Sequence, residues 1–179
     1  MVYVITGGPG FGKTVLIEKL HELGYPTGGE IARQIIVQQN AAHGSLLPWI
    51  DAAGFEKKVM AERIDFLNRT AIKSIAFSDR GLPDQAAFSW YKGKEISCQL
   101  KDALAENHYA KQVFLAPPWR QIYRNDQVRT ETFDEAERIH SFIVKAYLEN
   151  GYQLIDLPLV SPEERIEFIL KSLLNIFIH

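Results

Sequence analysis

The chain has 179 residues, of which 46% are hydrophobic and 23% charged, and its net charge is −2. This length and composition are typical of one soluble globular domain with a substantial core. A nucleic-acid-binding domain usually carries a basic excess or a basic stripe, and neither is present, so no nucleic-acid partner is expected. No apolar run reaches the length of a membrane span, and the first residues lack a signal-peptide pattern. With Cys98 as the only cysteine, the sequence predicts a cytoplasmic protein without an intrachain disulfide.

Predicted strands and helices alternate along the whole chain. The strands are predicted at residues 2–6, 25–29, 73–78, 112–115 and 153–156. The helices are predicted at residues 13–24, 31–40, 51–69, 82–91, 97–107, 132–151 and from 161 onward. Thr132 with Glu135 and Ser161 with Glu164 form capping boxes at the last two helix starts. This order predicts an α/β fold over residues 1–179, a three-layer domain with a five-stranded parallel sheet and helices on both faces.

A glycine-rich segment follows the first predicted strand and matches the G-x-x-x-x-G-K-[ST] pattern in full. Glycines allow backbone N–H groups to converge on phosphate oxygens, and the helix that starts at Lys13 directs its dipole at the same anion. In such a loop Lys13 reaches the β- and γ-phosphates, and the Thr14 hydroxyl is a ligand of Mg²⁺. The segment therefore predicts a P-loop for ATP and Mg²⁺. The predicted nucleotide-binding residues are Gly7, Gly8, Pro9, Gly10, Phe11, Gly12, Lys13, Thr14 and Val15.

Asp79 and Arg80 come directly after the third predicted strand, at its C-terminal end. P-loop proteins place an acid that faces Mg²⁺ at this position, so Asp79 is predicted as a metal ligand and catalytic residue. Hydrolytic ATPases commonly place a Glu after this Asp, whereas small-molecule and nucleotide kinases have an Arg. Arg80 therefore favours a kinase, in which it would hold a phosphate or the substrate. The alternative is an ordinary surface Asp at a strand end.

Glu30 and Arg33 follow the second predicted strand, in the loop that borders the acceptor pocket of this architecture. The Glu30 carboxylate could accept a proton from a substrate hydroxyl as a general base, with Arg33 as a second substrate contact. Alternatively, Glu30 complements the helix dipole and Arg33 is solvated. Whether Asp79 or Glu30 acts as the base stays open at this stage.

Arginines are concentrated in residues 117–131, after the fourth predicted strand. Arg120, Arg124 and Arg129 are predicted to belong to a lid that brings guanidinium groups over the transferred phosphoryl group. Of these, Arg120 and Arg124 are predicted catalytic residues, one helical turn apart. A solvated basic helix face paired with Asp126 or Glu131 is the alternative.

Six segments carry a resemblance to a known family over essentially the whole chain. They are TGGPGFGKT at 6–14, GE-x-AR at 29–33, DRGLPD at 79–84, VFLAPPW at 113–119, EAERIH at 135–140 and GYQLIDLPLVSPEERIEFIL at 151–170. With these segments the chain resembles the predicted-ATPase branch of AAA-type P-loop proteins that includes the ribosylnicotinamide kinase domain. The resemblance implies ATP and Mg²⁺ at residues 7–14 and a kinase-like acceptor cleft near Glu30, Arg33, Asp79 and Arg80. Phe11 departs from the family, whose loops usually have a small polar residue there.

Two functions follow from these features. The first is an ATP-dependent phosphotransferase that acts on a small molecule or a nucleoside-like acceptor, because an Asp-Arg pair is combined with a basic lid. The second is an NTPase switch or regulatory ATPase that is coupled to a protein partner.

Overall fold

The computed structural model describes residues 1–70, 75–123 and 131–178. The strands are β1 (Val2–Thr6), β2 (Thr27–Gly28), β3 (Ala76–Asp79), β4 (Gln112–Leu115) and β5 (Gln153–Asp156). The helices are α1 (Lys13–Glu22), α2 (Ile31–Ala41), α3 (Ala52–Thr70), α4 (Leu82–Tyr91), α5 (Cys98–Glu106), α6 (Phe133–Glu149) and α7 (Pro162–Ile178).

The five strands form one parallel sheet in the order β2-β3-β1-β4-β5. Alternate residues of β1 enter two separate cores: Val2 and Val4 pack on the side of α4, α5 and α6. Tyr3 and Ile5 pack on the opposite side, with α1 and α7. Since both faces of the sheet are covered by helices, the predicted three-layer α/β fold is confirmed.

The register of the central strands positions the loops that follow them. Ile5 of β1 lies opposite Asp79 of β3, so the two strands end almost level. Because neighbouring parallel strands end at the same edge of the sheet, the loop at residues 7–12 and the loop after Asp79 lie side by side.

The predicted capping boxes are confirmed. At α6 the Thr132 N–H donates to Glu135 Oε2 at 2.7 Å, and the Glu135 N–H donates to Thr132 Oγ1 at 3.3 Å. Ser161 and Glu164 make the same reciprocal pair at α7. These caps satisfy N–H groups that have no partner within the helix.

Some boundaries and burial predictions were wrong. The third strand ends at Asp79 rather than at residue 78, because the ladder with β1 continues to Asp79, and residues 73 and 74 of the predicted strand lie outside the described residues. The second strand has only two residues, since it pairs with β3 alone at the sheet edge. The apolar stripe of the last helix, which includes Leu170 and Leu173, predicts that Leu174 faces the core, but Leu174 is 63% exposed.

None of the helices in the described part of the chain has the length and apolar character that crossing a bilayer requires.

Candidate phosphate-binding and acceptor site

The loop between β1 and α1 has the backbone conformation that the glycine pattern predicts. Gly7, Gly10 and Gly12 have positive φ angles of 135°, 80° and 83°. Gly12 is the N-cap residue of α1, and no side-chain hydrogen bond caps this end of the helix. A Cβ at Gly10 would lie 2.5 Å from the Tyr123 ring, so glycine is required there by both conformation and space.

Lys13 begins α1 and is buried, with 6% of its surface exposed. Its Nζ donates to the Gly8 carbonyl at 2.7 Å, so the ammonium lies against the glycine loop. Burial, reinforced by Arg80, lowers the pKa of Lys13 to about 7, although Asp79 and Glu30 oppose this shift. An anion bound in the loop would oppose this shift and favour the charged form of Lys13.

Phe11 is fully buried and does not face the inside of the loop. Its ring packs 5.9 Å from Phe133 and 5.7 Å from His140, measured between ring centroids. His140 Nδ1 also accepts the Gly8 N–H at 3.4 Å. The unusual residue in the glycine motif thus anchors the loop to α6, a contact between segments too far apart in sequence to be predicted.

His140 provides a test of this anchor. Burial, with Lys13 acting in the same direction, lowers the pKa of His140 from 6.5 to about 4, while Asp156 opposes the shift. Because the folded value lies below the unfolded one, the stabilisation is complete above pH 6.5 and is lost as the pH falls through about 4. The loss is about 3 kcal/mol of unfolding free energy.

Urea unfolding of the native protein and of His140→Gln between pH 4 and 7 measures this contribution. Glutamine can still accept the Gly8 N–H but does not titrate, so the variant's stability is expected to depend less on pH. Parallel curves for the two proteins would contradict this role of His140.

Asp79 and Thr14 line one open groove beside the P-loop, with a volume of about 920 Å³. Asp79 is 2% exposed, and its Oδ1 has no hydrogen-bond partner. Burial raises the pKa of Asp79, against the opposing charges of Lys13 and Arg80. A buried carboxylate oxygen without a partner, near a threonine hydroxyl and a phosphate loop, is the donor set that fits Mg²⁺. Val15, the last of the predicted nucleotide-binding residues, is 42% exposed, whereas Asp79 is buried.

Arg80 is held by a residue that the sequence analysis did not single out. Its Nη1 donates to Asp84 Oδ1 at 2.8 Å, and its guanidinium lies 5.2 Å from the Phe88 ring centroid. Its φ of 68° is unusual for a residue other than glycine. The strained backbone and the buried ion pair fix Arg80 beside Asp79 at the end of β3.

Asp84 is completely buried and accepts four hydrogen bonds. Oδ1 accepts from Thr6 Oγ1 at 2.7 Å and from Arg80. Oδ2 accepts from the Gly81 N–H at 2.8 Å and from the Tyr147 hydroxyl at 2.6 Å. Asp84 therefore connects β1, α4 and α6 beneath the site.

Glu30 and Arg33 lie at the start of α2, where both line the groove next to Thr14. Glu30 is the N-cap residue of α2, but its side chain makes no capping hydrogen bond. Its Oε2 is buried and accepts no hydrogen bond, and Arg33 Nη1 is 3.9 Å away. The carboxylate is thus available to a group in the cleft.

A second, more enclosed pocket of about 310 Å³ lies between α2, α3 and α4. Glu30, Arg33 and Asp79 line this pocket as well as the groove, so the two cavities meet at these three residues. Trp49 and Arg63 also line the pocket and were not predicted as site residues.

Arg120 lies apart from both cavities. Its side chain is 72% exposed, pairs with Asp134 at 3.2 Å and stacks 4.1 Å from the Phe133 ring centroid. Residues 120–122 form a turn, so the alternative of a basic helix face does not hold for them. Arg124 and Arg129, the other predicted lid arginines, lie outside the described residues.

Trp119, Ile122 and Tyr123 bring the described part of the predicted lid onto the P-loop. Ile122 and Tyr123 lie against Gly12 and Gly10. Trp119 lies 4.8 Å from the guanidinium of Arg165, which is buried and donates to the Phe11 carbonyl at 3.4 Å. Arg165 could not be identified as a site residue beforehand, because its burial depends on contacts between α7 and the loop.

A parallel sheet whose central strand leads through this glycine loop into a helix is the arrangement of P-loop proteins. A family model described as an AAA domain matches residues 2–165, and the chain therefore belongs to that AAA domain family. No curated protein matches the sequence.

Solved structures support the same fold. Deoxyadenosine kinase from M. mycoides with bound dATP is 15% identical, with a TM-score of 0.69 over 97% of this chain and 99% of that one. The NadR protein in complex with NR is 16% identical, with a TM-score of 0.66 over 93% of this chain and 49% of that one. Thymidylate kinase from Ehrlichia chaffeensis is 18% identical, with a TM-score of 0.59 over 96% and 98%.

Proposed function

We propose that the protein transfers the γ-phosphoryl group of ATP to a hydroxyl of a small molecule. The observation that carries this proposal is the enclosed pocket of about 310 Å³ that meets the phosphate groove at Glu30, Arg33 and Asp79. A pure hydrolase needs room only for nucleotide and water, whereas a phosphotransferase needs a second cavity for the acceptor. Pockets for small organic ligands begin at about this volume.

In this proposal the P-loop amides and Lys13 hold the polyphosphate, and Thr14 and Asp79 hold Mg²⁺. The positive φ angles at Gly7, Gly10 and Gly12 and the unpartnered Asp79 Oδ1 support these assignments. When bound, Mg²⁺ would neutralise charge on the phosphates.

The acceptor hydroxyl oxygen would attack the γ-phosphorus, and the bond from that phosphorus to the β,γ-bridging oxygen would break, releasing ADP. The hydroxyl proton would pass to Glu30 or Asp79, both of which line the groove and the enclosed pocket. Arg33 and Arg80 would orient the acceptor. Arg120 and Arg124 would belong to a lid over residues 117–131, and Arg120 would have to leave Asp134 to reach the phosphate.

A direct test uses purified protein with Mg-ATP and a panel of hydroxyl-bearing small molecules that includes nucleosides. We expect one acceptor to be phosphorylated faster than ATP is hydrolysed, as measured by ³¹P NMR and ADP release. ATP hydrolysis alone across the panel would contradict the proposal. Turnover that rises only with an added protein partner would support the alternative, a regulatory ATPase.

A further inference from the structure

One wall of the enclosed pocket contains a buried cation that the phosphate site does not use. Arg63 of α3 is 4% exposed, and its Nε and Nη1 have no hydrogen-bond partner. It makes no ion pair with any residue in the described ranges 1–70, 75–123 and 131–178. Guanidinium groups are rarely buried without an anion, because removing the charge from water is unfavourable.

The nearest protein groups cannot supply that anion. Asp84 interacts electrostatically with Arg63, but both of its oxygens are already occupied by four donors. Tyr109 and Tyr147 also interact electrostatically with Arg63. Burial raises the pKa of Tyr109 to about 12 and raises that of Tyr147, so both phenols stay neutral. Four carboxylates also line the pocket, but in the described part of the chain none of them pairs with Arg63, so a ligand is the remaining source of an anion; they are Glu30, Glu56, Asp79 and Glu131.

A second polar group in the pocket adds a requirement. Gln85 Nε2 donates to the Glu56 carbonyl at 2.9 Å, which places the amide nitrogen there and leaves Oε1 buried without a partner. Oε1 accepts hydrogen bonds and repels anions, so the ligand must also offer a donor. The remaining wall is largely apolar, formed by Ile31, Ile36, Trp49, Phe55, Val59 and Phe88.

We propose that the acceptor is a small hydroxy acid whose carboxylate pairs with Arg63 and which offers a hydrogen-bond donor to Gln85. This inference rests on the proposed function and specifies its substrate class. A singly charged carboxylate matches one unpaired buried guanidinium, because Arg80 is already paired with Asp84 and Lys92, which also lines the pocket, is exposed. The carboxylates of Glu30 and Asp79 would repel the acceptor's anionic end and so leave its hydroxyl facing them.

The binding test needs no turnover. Benzoate, a planar carboxylate, and benzamide, its neutral analogue, are titrated into the full chain by calorimetry. Benzoate is expected to bind to the native protein and to Arg69→Met, and its affinity should fall about 100-fold in Arg63→Met. Arg69 is the matched control, because it lies on the same helix with an exposed side chain that pairs with Asp65. Equal binding of benzoate and benzamide, or no change in Arg63→Met, would overturn the inference.

The stability of Arg63→Met separates ligand binding from a structural role. Because an unpaired buried cation destabilises the fold, this variant should unfold at the same or a higher urea concentration than the native protein. If Arg63 served only to support Asp84, the variant would be less stable and would bind benzoate normally, which would contradict the proposal.

The transfer test uses hydroxy acids, each matched with its carboxamide, and neutral nucleosides. We expect one hydroxy acid to be the best acceptor and its kcat/KM to fall about 100-fold in Arg63→Met but not in Arg69→Met. A neutral nucleoside that is phosphorylated equally well by native protein and Arg63→Met would overturn the hydroxy-acid proposal and leave the kinase proposal intact. Benzoate binding that depends on Arg63, without transfer to any acceptor, would support the anion site and contradict the kinase.

Discussion

Replacing Lys13 with methionine is expected to reduce phosphoryl transfer about a thousandfold while leaving the protein folded. Lys13 Nζ lies 2.7 Å from the Gly8 carbonyl inside the glycine loop, where a bound polyphosphate would be its counter-charge. A buried electrostatic contact of this kind strengthens as charge builds up on the transferred group, so its loss should lower kcat more than the affinity for ATP. Methionine keeps the length and apolar stem of the side chain.

The matched control for this experiment is Lys19→Met. Lys19 lies on the same helix but at the surface, paired with Glu163 at 2.7 Å, and exposed pairs contribute little to stability. Its replacement should leave kcat and the urea midpoint nearly unchanged. Steady-state kinetics with the best acceptor and urea unfolding of both variants measure the two effects. Near-native kcat in a folded Lys13→Met variant would contradict the role assigned to Lys13 and, with it, the P-loop mechanism.

The fold could be predicted from the sequence because its signals are local. Alternating apolar strands and capped helices define the elements, and parallel β-α-β connections leave few ways to arrange them. The glycine loop could also be predicted from the sequence, since phosphate binding requires fixed residue types at fixed spacing. The end of β3 was misplaced by one residue because Asp79 is polar, yet the ladder with β1 continues through Asp79.

The supporting residues of the site were harder to identify because each depends on contacts between distant segments. Asp84 meets Thr6 and Tyr147, which are 78 and 63 residues away in sequence. One signal was available for Arg63: it lies four residues after Val59, on the helix face that faces the core. A charged residue on an otherwise apolar stripe indicates either a buried ion pair or a ligand. Only the structure, in which Asp84 has no free acceptor, favours the ligand.

The largest effect on stability is expected for Asp84→Asn, which should lower the free energy of unfolding by about 3 kcal/mol or more. Although burial opposes ionisation, the charges of Arg80 and Arg63 hold the pKa of Asp84 below its usual value, so the residue is an anion in the folded protein. Asparagine has nearly the same shape but no charge. Its NH₂ group would face two donors that now share one carboxylate oxygen, and Arg80 would become a second buried cation without a partner.

Urea unfolding of Asp84→Asn and Asp134→Asn compares the same chemical change in two environments. Asp134 also pairs with an arginine, Arg120, but the two side chains are 82% and 72% exposed, so its replacement should change stability by less than about 0.5 kcal/mol. Equal stabilities of the two variants would contradict the buried network.

Asp84 also orients Arg80, so its replacement is expected to affect function as well. At a temperature low enough for it to stay folded, the Asp84→Asn variant should show a raised KM for the acceptor. The Asp134→Asn variant should keep the native KM for the acceptor, because Asp134 lies outside both cavities.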